Sequence, residues 1–188
     1  TDGRLGLSER ETPATVSSVD REDIEQLGLR NLIELYRSAP GVAAGNIPGS
    51  PASVSMRGLT DVGYLFDGVR VADPSLVSRN LDTWNLERVE VLKGPASVLY
   101  GQISPEGMVN RVSKRPSLEA SNEVEIQGGN NQHRQGQFDV GGQLDANGNV
   151  LLRTIGVYRD AEYDIEQLNN DVRLLAPSLS WQISPDTN

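Results

Sequence analysis

The 188-residue chain carries 17 Lys and Arg against 26 Asp and Glu, a net charge of -9, with one histidine and no cysteine. Cations scattered along so acidic a chain exclude a nucleic-acid binder of the basic-patch kind. The missing cysteines remove disulfides and thiolate metal sites, and His133 alone cannot supply a His-pair zinc motif. No apolar run is long enough for a transmembrane helix, which leaves barrel strands open because these are short and alternate.

In chain order, residues 1–12 are polar and read as a mobile lead-in. "ATVSSV" (14–19) is β-branched and predicts a strand. Asp20 can cap a short helix, "REDIEQLG", that stops at Gly28. Asn31 with Glu34 three residues on has the form of a capping box. It opens "LIELYRSA", with Leu32, Leu35 and Tyr36 on one face, which Pro40 and Gly41 end. "GNIPGSP" (45–51) is loop material, and 53–57 is a short strand. "YLFDGVRV" carries the hairpin pair Asp67-Gly68 between apolar arms. Residues 73–82 form a polar loop. "LERVEVLKGPASVLYG" (86–101) begins as a strand, with Val89 and Val91 facing a thin core. It then turns at Gly94-Pro95 into a short helix ended by Gly101. "GMVNRVSK" is a further strand, stopped at Pro116.

After Ser117 the texture changes to antiparallel hairpins: "NEVEIQGG", "GQFDVGGQLD", "VLLRTIGVY" and "LAPSLSWQI". Phe138, Val140 and Leu144 share one face of their strand, opposite Gln137, Asp139 and Gln143. Leu175, Pro177, Leu179, Trp181 and Ile183 likewise oppose Ala176, Ser178, Ser180 and Gln182. This alternation fits a lipid-facing strand with a wet lumen, with Trp181 at the interface. It also fits a half-exposed sheet of a soluble protein. "VLLRTIGVY" has apolar residues on both faces and does not discriminate.

No constellation points to catalysis or resident metal. Gly94 and Gly101 are not followed by Gly-Lys-Ser/Thr, so there is no phosphate loop. "DANGN" (145–149) has its glycine too early for a calcium loop, and Gly156 stands where the final Glu belongs. Ser97 and Ser104 have no histidine nearby, and no carboxylate pair is placed for acid–base work. The chain is read as a non-enzyme with no cofactor bound directly.

The succession "ETPATVSSVDREDIEQLGLRNLIELYRSAPGV", "VSMRGL", "YLFDGVRV", "NLERVEVLKGPASVLYG" and "GMVNRVSKRP" resembles the plug domain of TonB-dependent outer-membrane receptors. Within these it is most similar to ferric-siderophore transporters of the hydroxamate (ferrichrome) type. The resemblance implies an α+β plug over 13–117, a small mixed sheet with short helices. Residues 118–188 would be the first strands of an incomplete outer-membrane β-barrel, so the chain is expected to be part of a larger receptor. It also implies TonB as partner, through a box expected upstream of Thr1, and a ferric siderophore as transported ligand. Under it, Arg57, Arg88 and Lys93 contact the barrel wall. Lys93 stands where arginine is usual, so its contact would be single-pronged. The implied ligand-facing tips carry Asn46, Ser50, Asp61, Tyr64, Leu76, Val77, Arg79 and Trp84, with Leu76 and Val77 where an aromatic contact is usual. Glu106 replaces a common glycine, which would strain a backbone needing positive φ there. Three functions stay open at this point: transport as part of a full receptor, a free-standing ligand-binding module, and a structural or signalling remnant. Cobalamin or a carbohydrate remains an alternative substrate.

Overall fold

The computed structural model describes residues 15–45, 54–56, 58–71, 82–93, 106–119, 122–130, 133–162 and 171–183. The chain divides into two compact units, Thr1–Ser113 and Lys114–Asn188.

In unit 1, β1 (Thr15–Asp20) leads into α1 (Arg21–Gln26) and α2 (Leu32–Ser38). The strands β2 (Val42–Ala44), β3 (Val54–Met56), β4 (Gly63–Phe66), β5 (Val69–Val71), β6 (Leu86–Lys93) and β7 (Gly107–Ser113) follow. Five of them form one sheet in the order β1-β6-β7-β4-β5, with β4 and β7 parallel and the other pairs antiparallel. β2 and β3 pair separately.

Local chemistry explains the elements. At α2 the Asn31 side chain accepts the Glu34 amide at 3.0 Å. The Glu34 carboxylate reaches back one residue beyond a standard capping box, accepting the Arg30 amide at 2.9 Å. This satisfies one donor that the helix start leaves open and ties down the amide of the residue before the cap. Asp67 (φ 49) and Gly68 (φ 78) are both left-handed, as a two-residue turn matched to strand twist requires. The turn is tied down from β7: the Asn110 amide oxygen accepts the Gly68 amide, and the Asp67 carboxylate accepts the Ser113 amide and hydroxyl.

The core lies on the α-helical face of this sheet. Ile24, Leu32, Leu35 and Tyr36 pack with Val19, Val89, Val91, Val109, Met56 and Tyr64. Val89 and Val91 face it as their spacing predicts, and β6 lies between β1 and β7. A smaller cluster of Leu65, Leu92 and Met108 lies apart from it. The helix expected after Gly94-Pro95 lies outside the described residues.

The strain expected at Glu106 has a different location. The positive φ of this stretch belongs to Gly107 (φ 134), where a Cβ would sit 2.3 Å from the Leu92 carbonyl oxygen. The tight approach of β6 and β7 therefore rests on the glycine that remains.

Unit 2 is a four-stranded antiparallel meander: β8 (Glu123–Gly128), β9 (Arg134–Gln143), β10 (Val150–Asp160) and β11 (Val172–Trp181). The "DANGN" stretch closes the β9–β10 hairpin. Its Asp145 side chain accepts the Val150 amide at 2.8 Å, and Gly148 takes the left-handed conformation (φ 72).

Candidate functional site

Each unit offers functional surfaces, and each is built by strand register. In unit 1 the tip residues divide. Asp61 is exposed just before β4. Tyr64 and Trp84, expected as walls of a ligand site, are core residues in this structure. Tyr64 is 2% exposed, and its phenol oxygen accepts the Val54 amide at 2.9 Å, joining β4 to β3. Trp84 is 6% exposed and lies beneath the Arg21 guanidinium, 4.9 Å from the ring centroid. Alternation places Tyr64 on the inner face of its strand, and a buried indole beside a helix-borne arginine gains cation–π energy. Asn46, Ser50, Leu76, Val77 and Arg79 lie outside the described residues, as does Arg57.

Two of the cations expected to contact a barrel wall, Arg88 and Lys93, have partners inside unit 1. Arg88 Nε meets Glu90 Oε1 at 2.8 Å. Asn110 donates to the other Glu90 oxygen at 2.9 Å, so a polar ladder runs from β6 across β7 to the Asp67-Gly68 turn. Lys93 Nζ donates to Ser17 Oγ at 3.3 Å beside Gly41.

Arg111 on β7 carries no local pattern that would single it out. It is 4% exposed, and its Nε and Nη1 have no hydrogen-bond partner among the described residues. Its guanidinium lies 5.8 Å from the Phe66 centroid. The buried Tyr36 hydroxyl is likewise without a partner among the described residues. Burial pushes the Tyr36 phenol up, and the positive charge of Arg111 opposes that rise. Glu106 has one buried carboxylate oxygen without a described partner.

Unit 2 is inside out relative to a water-soluble sheet. One face carries Val124, Ile126, Phe138, Val140, Leu152, Tyr158, Leu175, Pro177, Leu179 and Trp181, which register places side by side. Much of it is open: Ile126 is 84% exposed, and Val124, Leu175, Leu179 and Trp181 are exposed too. The other face buries polar groups. Arg159 Nε donates to Gln135 at 2.7 Å, Gln135 to Gln137 at 2.5 Å, and Gln137 to Glu125 at 2.5 Å. Further along, Asp139 is 1% exposed and accepts Arg153 in bidentate fashion, Nε and Nη2 each at 2.8 Å, and Lys114 at 2.6 Å. β10, ambiguous in sequence, is resolved by pairing: Arg153, Ile155, Val157 and Arg159 face inward with Gln135, Gln137 and Asp139.

Apolar outside with a hydrogen-bonded polar interior is the pattern of a strand between lipid and a wet lumen. The outward band runs from Tyr158, opposite Arg173, to Trp181. At ~3.4 Å per residue this is about 27 Å along the strand, or roughly 20 Å at the usual 35–45° tilt, near the ~25 Å band of such barrels. An aromatic marks each end. Among the described residues no group of three His, Cys, Asp or Glu could hold a metal ion.

Comparison with known proteins agrees with this geometry. Residues 8–108 match the family model of the TonB-dependent receptor plug domain, just over half the chain. The chain is 36% identical to the ferrioxamine B receptor of Salmonella typhimurium, across 98% of this chain and 27% of that protein. It is 28% identical to the ferripyoverdine receptor of Pseudomonas aeruginosa, across 98% of this chain and 23% of that one. Among solved structures, the outer-membrane ferripyoverdine receptor of P. aeruginosa bound to ferripyoverdine superposes with a TM-score of 0.86 at 26% identity, over 96% of this chain and 24% of that chain. The alcaligin outer-membrane receptor of Bordetella pertussis superposes at 0.79 and 27%, over 96% and 31%. The chain thus spans about a quarter of the curated relatives it matches. With its mixed sheet and short helices followed by antiparallel strands at the start of a barrel, this chain belongs to the TonB-dependent receptor plug-domain family.

Proposed function

We propose that the chain is the plug and first wall strands of an outer-membrane transporter for ferric siderophores, energised through TonB and without enzymatic activity. The observation that carries this reading is the inside-out sheet immediately following a plug domain. A free-standing binding module in water has no use for the Val124, Ile126, Leu175, Leu179 and Trp181 face. The receptors named above as relatives and structural neighbours take ferrioxamine, ferripyoverdine or alcaligin, which favours a ferric siderophore over cobalamin or a carbohydrate.

In this reading the tight 144–149 turn faces the periplasm. Such barrels have short periplasmic turns and long outer loops, so β10 runs outward from this turn and β11 returns. Ligand contacts come from Asn46, Ser50, Asp61 and Arg79, while the buried Tyr64 and Trp84 contribute to the plug core. Arg57 and Lys93 remain the proposed contacts to the wall.

The test is a chimera in which this chain replaces the matching segment of the Salmonella ferrioxamine B receptor. Iron-starved cells lacking their own receptor should take up radiolabelled ferrioxamine B, and uptake should stop without TonB or with the proton gradient collapsed. A chimera that reaches the outer membrane but transports nothing would overturn the proposal. Uptake indifferent to TonB would do the same.

A further inference from the structure

Ser113 and Lys114 are consecutive, and the boundary between the two units falls between them. The first two residues of unit 2 are both gripped by β9 and β10. Lys114 Nζ bonds Asp139 Oδ2 at 2.6 Å, with the lysine side chain 3% exposed and the aspartate 1%. Arg153 occupies the rest of that carboxylate, and its Nη1 donates to the Arg115 carbonyl at 2.9 Å. Gly141, opposite Arg153 in register, gives the arginine stem room; a Cβ there would sit 3.1 Å from Arg153 Cγ. Two cations share one buried anion, so removing the anion takes an ion-pair partner from both at once.

We propose that Lys114, Asp139 and Arg153 form a latch that fixes where unit 2 begins, so that opening of unit 1 stops at Ser113. This rests on the reading of unit 1 as a plug that must yield, and it adds the point at which yielding ends. An ion-paired, largely buried grip on two adjacent residues is suited to this task. It holds side chain and backbone together, and it breaks only as a unit.

The test uses trypsin on the full chain in detergent, with mass spectrometry to place each cut. Lys114–Arg115 is a cleavable bond whose lysine is locked in the latch, while Arg115–Pro116 resists cleavage. Increasing urea, which leaves ion pairs unscreened, should first expose Arg88 and Arg111 on β6 and β7. Lys114 should stay uncut until Arg134, Arg153 and Arg173 on β9 to β11 are also exposed. Asp139→Asn should raise the Lys114 cleavage rate at least tenfold without urea, leaving the β9–β11 sites unchanged. Arg153→Gln, which keeps the Lys114–Asp139 pair, should raise it less and at the same bond. Cleavage of the unaltered chain at Lys114 in step with Arg111 would overturn the latch. So would an Asp139→Asn chain unchanged at Lys114, or one cut equally at all unit 2 sites, which would mark a general stabilising role. If Asp139→Asn does not fold, the unaltered chain and Arg153→Gln decide by the same criteria. None of these readouts needs transport, so failure of the latch and failure of the transporter reading are separable.

Discussion

Gly107→Ala should cost unit 1 at least about 3 kcal/mol, enough to open its sheet in a domain of ordinary stability. Two independent terms add. A φ of 134 lies in a region that residues with a side chain rarely adopt, at about 1–3 kcal/mol. The new methyl would also sit 2.3 Å from the Leu92 carbonyl oxygen, a backbone atom that can move only by displacing β6. Gly107 pairs with Lys93, and Met108 with Leu92, so displacement there disturbs both the small Leu65–Leu92–Met108 cluster and the central strand. The Met56 sulfur, 2.9 Å away, is a flexible side-chain end and yields more easily. Guanidinium unfolding of the full chain carrying Trp181→Phe, so that fluorescence comes from buried Trp84 alone, measures the loss. A midpoint unchanged by the substitution would mean that β6 and β7 do not approach this closely.

Arg111→Met should act in the opposite direction, raising the stability of unit 1 by about 1–3 kcal/mol. A buried guanidinium whose Nε and Nη1 have no hydrogen-bond partner among the described residues is costly, and apolar residues of similar volume replace buried charges with no loss or a gain. The Phe66 contact opposes this by about 0.5–2 kcal/mol, which sets the lower end of the range. Methionine keeps the length of the side chain and leaves no large cavity beside Tyr36. A higher denaturation midpoint with an unchanged m-value supports this; a lower midpoint would show that Arg111 is compensated in the folded state. A charge that weakens the core of unit 1 is consistent with the proposed function, in which the plug must yield.

Much of this architecture is legible in the sequence because short-range rules decide it. Asp67-Gly68 selects its turn, Asn31 and Glu34 cap α2, and Val89 and Val91 face the core by period-two spacing. The alternation in "GQFDVGGQLD" and "LAPSLSWQI" shows both faces of β9 and β11. What alternation alone does not decide is whether the apolar face meets lipid or packs as in a half-exposed sheet of a soluble protein. That follows only once register places Ile126, Phe138 and Leu175 on one side and Gln137, Asp139 and Arg153 on the other. "VLLRTIGVY" is opaque for a related reason: the inward face of β10 mixes Ile155 and Val157 with two arginines, so apolar count carries no sign of direction. Tyr64 and Trp84 look like binding aromatics because a sequence shows chemistry but not depth. Arg111 is hidden inside an otherwise apolar strand, and only its burial shows that its charge is costly. The latch joins residues on three segments, a long-range arrangement that local pattern does not encode.

The central claim, that unit 2 is a wall between lipid and a wet interior, is tested most directly by single-cysteine spin labelling along β11. The chain has no native cysteine, and with any cysteine of the receptor portion replaced by serine each label reports one position. The protein is the same ferrioxamine receptor chimera, reconstituted in bilayers, with labels at successive residues 174–181. Collision with lipid-soluble oxygen should peak at 175, 177, 179 and 181 and fall at 174, 176, 178 and 180. A water-soluble nickel complex should show no matching peaks on the odd positions. Odd positions exposed to the nickel complex, or a profile without two-residue alternation, would contradict the assignment of this sheet to a membrane wall.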